Sequence, residues 1–347
     1  MKSLYKAIIL IPAIGLAMSG CTGGKSEKKI SSATYKPVEI KSAPVIGDET
    51  SLLLKELKAN GDYVNTKQYP SLIKASLVNE LKGDNNLIID LRSKSEYSAG
   101  HIKGAVNKKF EELPSWFETG IKPFRYEKII LVCDDGQISS YATSLLRLKG
   151  YGNVFALRWG MSGWNKQLAE NGWLKGLSGK YESQLDTVTH NKPAATGLPE
   201  LKTGLTVGKE VSDVRFAKVF GEGTSGIFIT ADEVFSNPSA YYIINLERKD
   251  KYSDGHIPGA VRYKPDGTLG IVDELATIPY DKPVVVYCGT GHNSAFATAY
   301  LRLFGYDART LKYGNNSFMH NRMVMKREAL SWLPFSDEDV NNFPVVK

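Results

Sequence analysis

An internal repeat constrains the fold of this chain more than any other feature of its sequence. A segment containing Gly-His-Ile-x-Gly-Ala-Val occurs twice, and a cysteine follows each of its histidines after the same interval. His101 and His256 stand 155 positions apart, and so do Cys133 and Cys288. One register kept over this distance indicates two copies of a single structural unit. The length of 347 residues agrees, because it suits two domains better than one.

Short apolar runs in each copy predict the strands of a parallel sheet. The runs are continuous rather than alternating, which is typical of strands buried on both faces. They lie at 87–89, 129–132, 242–244 and 284–287. A helical pattern follows each cysteine and stops at Gly150 or Gly305, which suits the left-handed C′ position of a helix. The alternation predicts an α/β fold with two tandem domains, each a parallel β-sheet flanked by helices on both faces.

Composition outside the repeats gives the domain boundaries. We predict a signal peptide at 1–20, a tether and lead-in at 21–60, the first domain at 61–177, a linker at 178–223 and the second domain at 224–347. The polar start of the tether and the Gly-, Thr-, Lys- and Pro-rich linker are typical of irregular connecting segments. We expect the linker to have a strand or two of its own.

The first twenty residues indicate an export signal rather than part of a core. Two lysines precede an apolar run at 7–18 that is too short to span a bilayer comfortably. Small residues then lead into Cys21, and this arrangement resembles a lipoprotein signal in which Cys21 is diacylated. We therefore predict an exported protein anchored in the cell envelope by a lipid on Cys21, in the outer membrane rather than the inner one. A plain secretory signal and a retained anchor are the alternatives.

Cysteine usage then indicates chemistry. If Cys21 is lipidated, only Cys133 and Cys288 remain, one in each repeat. An exported protein with two cysteines would usually pair them. Equivalent positions in separate domains make that bridge geometrically unfavourable, so we expect two free thiols.

Each of these cysteines lies where a predicted buried strand ends, one short loop before a helix. Ligands bind at this edge of open α/β sheets. Main-chain N–H groups of the loop and the positive end of the helix dipole converge there on negative charge. We therefore expect a thiol with a lowered pKa, and a cradle that can hold a persulfide or an oxyanion. Gly136 and Gly291 provide the backbone freedom that such loops need.

Taken together, these motifs resemble the rhodanese family. The likeness rests on the Asp-x-Arg at 90–92, the Gly-His-Ile-x-Gly-Ala segments and the Cys-x-x-Gly-x-x loops. In that family the loop cysteine takes sulfane sulfur from a donor such as thiosulfate and passes it to a thiophilic acceptor. The resemblance implies a sulfurtransferase in which Cys288 carries the persulfide. The implied cradle consists of Gly289, Thr290, Gly291, His292 and Asn293.

The loops also depart from the family pattern. Neither has the arginine that the family often carries at the sixth loop position, where Ile138 and Asn293 stand instead. An anionic donor would then be bound by main-chain N–H groups and by His292, Arg262 or Lys264. For His292 the alternative is a side chain that is merely exposed.

The two loops are not equivalent in charge. Asp134 and Asp135 beside Cys133 would raise the pKa of that thiol and repel an anion. The Gly-Thr-Gly-His-Asn sequence after Cys288 has no acidic residue. We therefore predict that Cys288 is the active cysteine and that Cys133 is secondary or degenerate.

Two other kinds of site fit less well. A Cys-x5-Arg phosphatase needs an arginine six positions after the cysteine to clamp phosphate, but Ser139 and Ser294 stand there. Soft side chains near the C-terminus suit Cu(I), although their spacing also describes the buried face of a helix, which is the preferred interpretation. These side chains are Met319, His320, Met323 and Met325. We predict no metal ligands and no cofactor.

The alternative to a sulfurtransferase is a non-catalytic accessory lipoprotein that binds a sulfur or metalloid oxyanion for envelope redox systems. The partners expected are a sulfur or selenium oxyanion, a thiol acceptor, the membrane and an envelope redox protein. The formal net charge of +7 suits anionic partners but is too small to indicate a nucleic-acid-binding protein.

Overall fold

The computed structural model describes residues 44–81, 85–265, 269 and 272–347. The predicted signal peptide, Cys21 and most of the predicted tether lie outside these residues. In the part of the chain that is described, no helix has both the length and the apolar character needed to cross a membrane.

A parallel sheet lies at the centre of each repeat. The first has strands β1 (Leu72–Ile73), β2 (Asn86–Asp90), β3 (Val106–Asn107), β4 (Lys128–Val132) and β5 (Val154–Leu157). The second has β6 (Phe228–Ile229), β7 (Tyr242–Asn245), β8 (Val261–Arg262), β9 (Val284–Tyr287) and β10 (Ala308–Leu311). Their orders, β1-β5-β4-β2-β3 and β6-β10-β9-β7-β8, are equivalent. Neighbouring strands are parallel throughout. The four apolar runs lie in β2, β4, β7 and β9, which confirms the predicted fold class.

Helices flank both sheets. Those of the first repeat are α1 (Asp48–Ala59), α2 (Ala75–Glu80), α3 (Lys94–Ala99), α4 (Leu113–Ser115), α5 (Gln137–Leu148), α6 (Gly160–Trp164), α7 (Lys166–Asn171) and α8 (Trp173–Gly176). Between the repeats is α9 (Gly208–Gly221). The second repeat has α10 (Ala231–Ser236), α11 (Lys249–Asp254), α12 (Val272–Leu275), α13 (His292–Leu303), α14 (His320–Met325) and α15 (Arg327–Leu330).

The two helices that follow the cysteines end as their glycines predict. Gly150 and Gly305 have φ values of 102° and 92°, in the left-handed region. After α5, the Gly150 N–H donates to the carbonyl of Arg147, and the next N–H donates to the carbonyl of residue 146. After α13 the same two bonds form at equivalent positions. This Schellman pattern satisfies carbonyls that a helix end leaves without partners.

The range predicted as a linker contains a fourteen-residue helix, α9, and in place of the expected strand it forms isolated β-bridges at Asp186, His190 and Gly197. Val211 and Phe216 on α9 are buried, and the helix packs against α1, which lies in the range predicted as tether and lead-in. Thr50 on α1 donates from Oγ1 to the carbonyl of Pro199 at 3.0 Å. The polar composition of the range concealed the buried face of α9, which carries Val219 and Phe220 as well.

The two repeats share one hydrophobic core across the contact between α5 and α13. Tyr141 of α5 and Phe296 of α13 are both fully buried in it. The Ser144 hydroxyl donates to the Phe296 carbonyl at 2.9 Å, and the Tyr69 hydroxyl donates to the Asn293 carbonyl at 2.5 Å. The helices that begin at the two cysteine loops are therefore held against each other.

The segment after each repeat crosses to the other one. Asp186, from the predicted linker, forms two main-chain hydrogen bonds of 2.9 Å with His256 of the second repeat. Val346, near the C-terminus, forms the same pair of bonds with His101 of the first repeat. Residues of the range predicted as the second domain, 224–347, therefore pack on the first one.

Removal of the Phe296 ring should destabilise both repeats together. The ring contacts Tyr63 and Tyr69, with centroids 5.9 and 5.6 Å away. We expect Phe296→Ala to lower the free energy of unfolding by about 3–5 kcal/mol, because it leaves a cavity in the shared core. Guanidinium unfolding followed by tryptophan fluorescence measures this. Phe124, which is 75% exposed, provides the matched control, and Phe124→Ala should change the value by less than about 1 kcal/mol. Equal losses in the two variants would contradict the shared core.

Candidate functional site

Both predicted cysteines lie at the carboxyl ends of central strands. Cys133 follows β4 and Cys288 follows β9, and each precedes the loop that leads into α5 or α13. Gly136 and Gly291 end these loops with φ values of 85° and 77°, which a residue without Cβ adopts at little cost. Both cysteines are free thiols, as predicted.

Main-chain N–H groups surround the sulfur of Cys288. The Ser294 N–H donates to Sγ at 3.4 Å, and the Thr290 N–H also points to it. These donors lower the pKa of the thiol, but burial and the nearby carboxyl group of Glu247 raise it by more. The lowered pKa expected from the sequence is therefore wrong for the resting site. The cradle of N–H groups is present, but burial of the charged sulfur raises the pKa by more than these donors lower it.

The environment of Cys133 is more unfavourable to a thiolate. N–H groups of Gly136 and Ser139 donate to its sulfur at 3.2 and 3.3 Å. Burial and the acidic side chains of Asp135 and Asp134 nevertheless raise the pKa of Cys133 to about 12. This thiol stays protonated at neutral pH, as the predicted asymmetry between the two loops requires.

A cavity of about 380 Å³ adjoins Cys288 and is bordered by both repeats. It is lined by Tyr69, Pro70, Leu72 and Arg158 of the first repeat and by Leu246, Glu247, Arg248, Lys251, Pro265, Cys288, Gly289, Thr290, Asn293, Trp332 and Leu333 of the second. Cys133 does not line this cavity. Although Cys288 is only 3% exposed, a small molecule that enters the cavity meets it.

Three cations and one carboxyl group determine the charge of the cavity. Arg248 pairs with Asp250 at 2.6 Å, and Lys251 lies 3.6 Å from Glu247. Arg158 has no salt-bridge partner within 4.0 Å among the described residues, although the Asp339 carboxylate acts on it at longer range, and its guanidinium lies over the Trp159 ring at 5.0 Å. The cavity can therefore attract a small anion, and Arg158 is the one of these three cations without a close carboxylate partner among the described residues.

Glu247 is the site residue that the sequence analysis missed. In the first repeat the equivalent residue is Arg92, which is buried in a 2.7 Å salt bridge with Asp90. In the second repeat the corresponding pair is Asn245 and Glu247, so this salt bridge is absent. The Gly289 N–H donates to the Glu247 carboxylate, and burial raises the pKa of Glu247. The substitution of an acid for Arg92 in the repeat alignment was the signal that could have identified it.

His292 does not bind an anion in the cavity and is not exposed. It is fully buried between the repeats, where its Nε2 lies 3.0 Å from the carbonyl oxygen of Asp135 and its ring stacks on Trp173. Burial lowers the pKa of His292 to about 3, so the ring is neutral. Gln137, its equivalent in the first repeat, reaches the opposite way and accepts from the Tyr313 N–H at 2.9 Å. The predicted role of His292 at the thiol is therefore replaced by a role in the domain contact.

The other predicted residues divide between cavity and scaffold. Gly289, Thr290 and Asn293 line the cavity, whereas Gly291 shapes the start of α13. Arg262 does not line it, because its Nη1 donates to the Glu247 carbonyl at 3.2 Å. The soft side chains considered for Cu(I) lie elsewhere. Met319 and Met323 are fully buried in the apolar core, and His320 bonds to the Phe335 carbonyl.

Comparisons with known proteins agree with the repeated architecture. The sequence model of the family described as "Rhodanese-like domain" matches residues 74–167 and 230–321. A tRNA uridine(34) hydroxylase of Prochlorococcus marinus (strain MIT 9312) is 28% identical over 143 residues, which cover 39% of this chain and 42% of that protein. The protein of that name from Acinetobacter baylyi is 30% identical over 104 residues, or 29% of this chain and 31% of its own. The chain thus spans less than half the length of these curated relatives.

A crystal structure of thiosulfate sulfurtransferase from Pseudomonas aeruginosa is also similar. It shares 17% sequence identity, with a TM-score of 0.29, and the match covers 75% of this chain and 46% of that one.

Replacement of Glu247 by glutamine should make the Cys288 thiol more acidic. The change removes a negative charge that raises the pKa of Cys288, and a fall of about one unit would increase the thiolate fraction about tenfold below that pKa. The pH dependence of iodoacetamide alkylation, followed by mass spectrometry on the peptide containing Cys288, measures this. Glu328 is an exposed glutamate of the same repeat, so Glu328→Gln is the control. Superimposable profiles for Glu247→Gln and the unaltered protein would show that Glu247 does not act on the thiol.

Proposed function

Because this chain belongs to the rhodanese-like domain family, we propose that it is a sulfurtransferase that carries sulfane sulfur as a persulfide on Cys288. One observation carries the proposal. Cys288, and not Cys133, combines a cradle of main-chain N–H groups with a cavity large enough for a small donor. The first repeat then serves as a scaffold that borders the site and contributes Arg158 to it.

The proposed reaction has two transfers at the same sulfur. After the Cys288 thiol has lost its proton to solvent, Sγ attacks the outer sulfur of thiosulfate, the sulfur–sulfur bond of the donor breaks, and sulfite leaves with the bonding electron pair. The terminal persulfide sulfur is then attacked by a thiophilic acceptor, which releases the Cys288 thiolate. N–H groups of Thr290 and Ser294 stabilise negative charge on Sγ before and after each transfer.

The raised pKa of Cys288 has a direct consequence for this chemistry. The resting residue is a thiol, and an anionic donor beside Arg158 must compete with the charge of Glu247. Protonation of Glu247, whose pKa burial raises, would reduce that repulsion. We propose that the cavity cations offset the absence of a loop arginine. The proposed donor is a sulfur or selenium oxyanion, and the proposed acceptor is a thiol.

Activity should depend on one cysteine. With thiosulfate and cyanide, we expect thiocyanate formation and a gain of one sulfur atom in protein mass. Both should disappear in Cys288→Ser and persist in Cys133→Ser, because only Cys288 borders the cavity. Thiocyanate is measured colorimetrically and the persulfide by intact-protein mass spectrometry. The matched loss of activity in both variants, or in Cys133→Ser alone, would contradict the assignment.

Absence of both turnover and mass gain in the unaltered protein would favour the second candidate function, a binding module for an oxyanion. The observation that favours this function is Asn293 at the sixth loop position, where the family often has arginine.

Arg158 should contribute to binding of the donor. We expect Arg158→Gln to raise the KM for thiosulfate about threefold to tenfold, because it removes the one cavity cation without a close carboxylate partner in the described part of the chain. Steady-state kinetics at constant ionic strength measure this. Arg125→Gln removes an exposed arginine of the same repeat and should leave KM unchanged. Equal KM values for the two variants would exclude Arg158 from donor binding.

We also propose that the protein acts in the cell envelope, where the lipid predicted on Cys21 would anchor it. The proposed partners are a thiol acceptor and an envelope redox protein. The nucleic acid named for the tRNA hydroxylase relatives is not part of the proposal.

A further inference from the structure

A second cluster of reactive side chains lies at the contact between the interdomain segment and the second repeat. It consists of Asp186, His190 and His256, whose nearest ligand atoms all lie within 4.8 Å of one another. His190 Nε2 is 2.7 Å from Asp186 Oδ2, and His256 Nε2 is 3.9 Å from the same oxygen. Three side chains from two separate parts of the chain therefore point to one position.

His256 shows that this convergence is more than a surface arrangement. Its side chain is fully buried, and its Nδ1 lies 2.8 Å from the carbonyl oxygen of Tyr252. Since a carbonyl only accepts, the neutral ring carries its proton on Nδ1, and Nε2 has an available lone pair. This nitrogen has no hydrogen-bond partner in the described structure. The Val188 carbonyl acts electrostatically on the imidazole ring, but it does not have the geometry of a hydrogen bond to Nε2. A buried polar atom left without a partner is unfavourable unless something else satisfies it.

The backbone holds the other two side chains in place. Asp186 and His256 exchange two main-chain hydrogen bonds, and the Val188 N–H donates to Asp186 Oδ1 at 2.8 Å. The His190 N–H donates to the Tyr252 hydroxyl at 3.1 Å. Asp186 Oδ2 is therefore left to face both imidazoles.

The first repeat provides an internal comparison. His101 has the same bond from Nδ1 to a tyrosine carbonyl, and its ring stacks on Tyr97 as that of His256 stacks on Tyr252. The segment that pairs with His101 is the C-terminal one, which presents Val346 where the second repeat has Asp186. The same motif therefore acquires two further ligand side chains in only one of its copies.

We propose that Asp186, His190 and His256 bind one divalent transition-metal ion, with zinc as the best fit. Two imidazole nitrogens and one carboxylate oxygen form a common protein ligand set for zinc, and the fourth position is left to water. At zinc–ligand distances of about 2.0–2.2 Å, tetrahedral ligand atoms are separated by about 3.3 Å, so only small side-chain shifts are needed. His190 takes the tautomer with its proton on Nδ1 when Nε2 binds the metal. Bound zinc would fasten the interdomain segment to the second repeat.

The test is calorimetric titration of the full chain with zinc chloride. All three cysteines are first changed to serine, which removes thiolate ligands. We expect saturable binding of one zinc ion per chain. His190 has a side chain that is 34% exposed, so His190→Ala can be made without opening the core. That variant and Asp186→Asn should each weaken binding at least about tenfold, because even outer partners of metal ligands have effects of that size.

The matched control is His101→Ala, which removes the equivalent imidazole of the first repeat and should leave zinc affinity unchanged. Cobalt(II) provides an independent measurement, since a four-coordinate site should give visible absorption bands that His190→Ala abolishes. Lack of saturable binding, or binding that is equal in His190→Ala and the parent chain, would overturn the proposal. Neither readout depends on sulfur transfer, so the outcome is separate from that of the proposed function.

Discussion

The packing of α5 against α13 is the constraint on which the arrangement of the site depends. Each helix starts directly after a cysteine loop, so the shared core that joins the helices also fixes the two loops relative to each other. Gln137 and His292 occupy equivalent positions and reach in opposite directions across this contact. A polar side chain beside each thiol is thereby used for the interface. The cavity beside Cys288 lies next to this contact, and residues of the first repeat form part of its wall.

Equal burial does not give the two thiols equal chemistry. Cys133 and Cys288 are 2% and 3% exposed, and N–H groups contact both sulfurs. The difference lies in neighbouring charge and in access, because two aspartates follow Cys133, whereas Cys288 has one nearby carboxyl group, Glu247, and borders a cavity with three cations. Burial raises both pKa values. Both residues are therefore thiols in this structure, and Glu247 is the neighbouring charge that opposes ionisation of Cys288.

Much of the fold could be predicted from the sequence because the signals were local and occurred twice. Continuous apolar runs, glycine-terminated helices and the constant interval between His and Cys all depend on near neighbours along the chain. The site was predicted less completely. The orientation of His292 depends on packing against Trp173 from the other repeat, and Arg158 lines a cavity whose cysteine belongs to the other repeat. Neither has a signal within its own segment. Glu247 had one, its alignment with Arg92, but its effect on the Cys288 thiol depends on a closeness in space that the alignment does not show.

The exchange of terminal segments between the repeats bears on how such a protein can be divided. Asp186 follows the first repeat but hydrogen-bonds to the second, and Val346 follows the second but hydrogen-bonds to the first. A cut placed between Asp186 and the second repeat therefore separates both segments from the surfaces that they cover. Each half would then lose two main-chain hydrogen bonds at its motif histidine and keep an unpaired strand-like end. The tandem arrangement is thus an interlocked whole, and recombination that swapped one repeat for a foreign one would have to preserve complementary edges at two places at once.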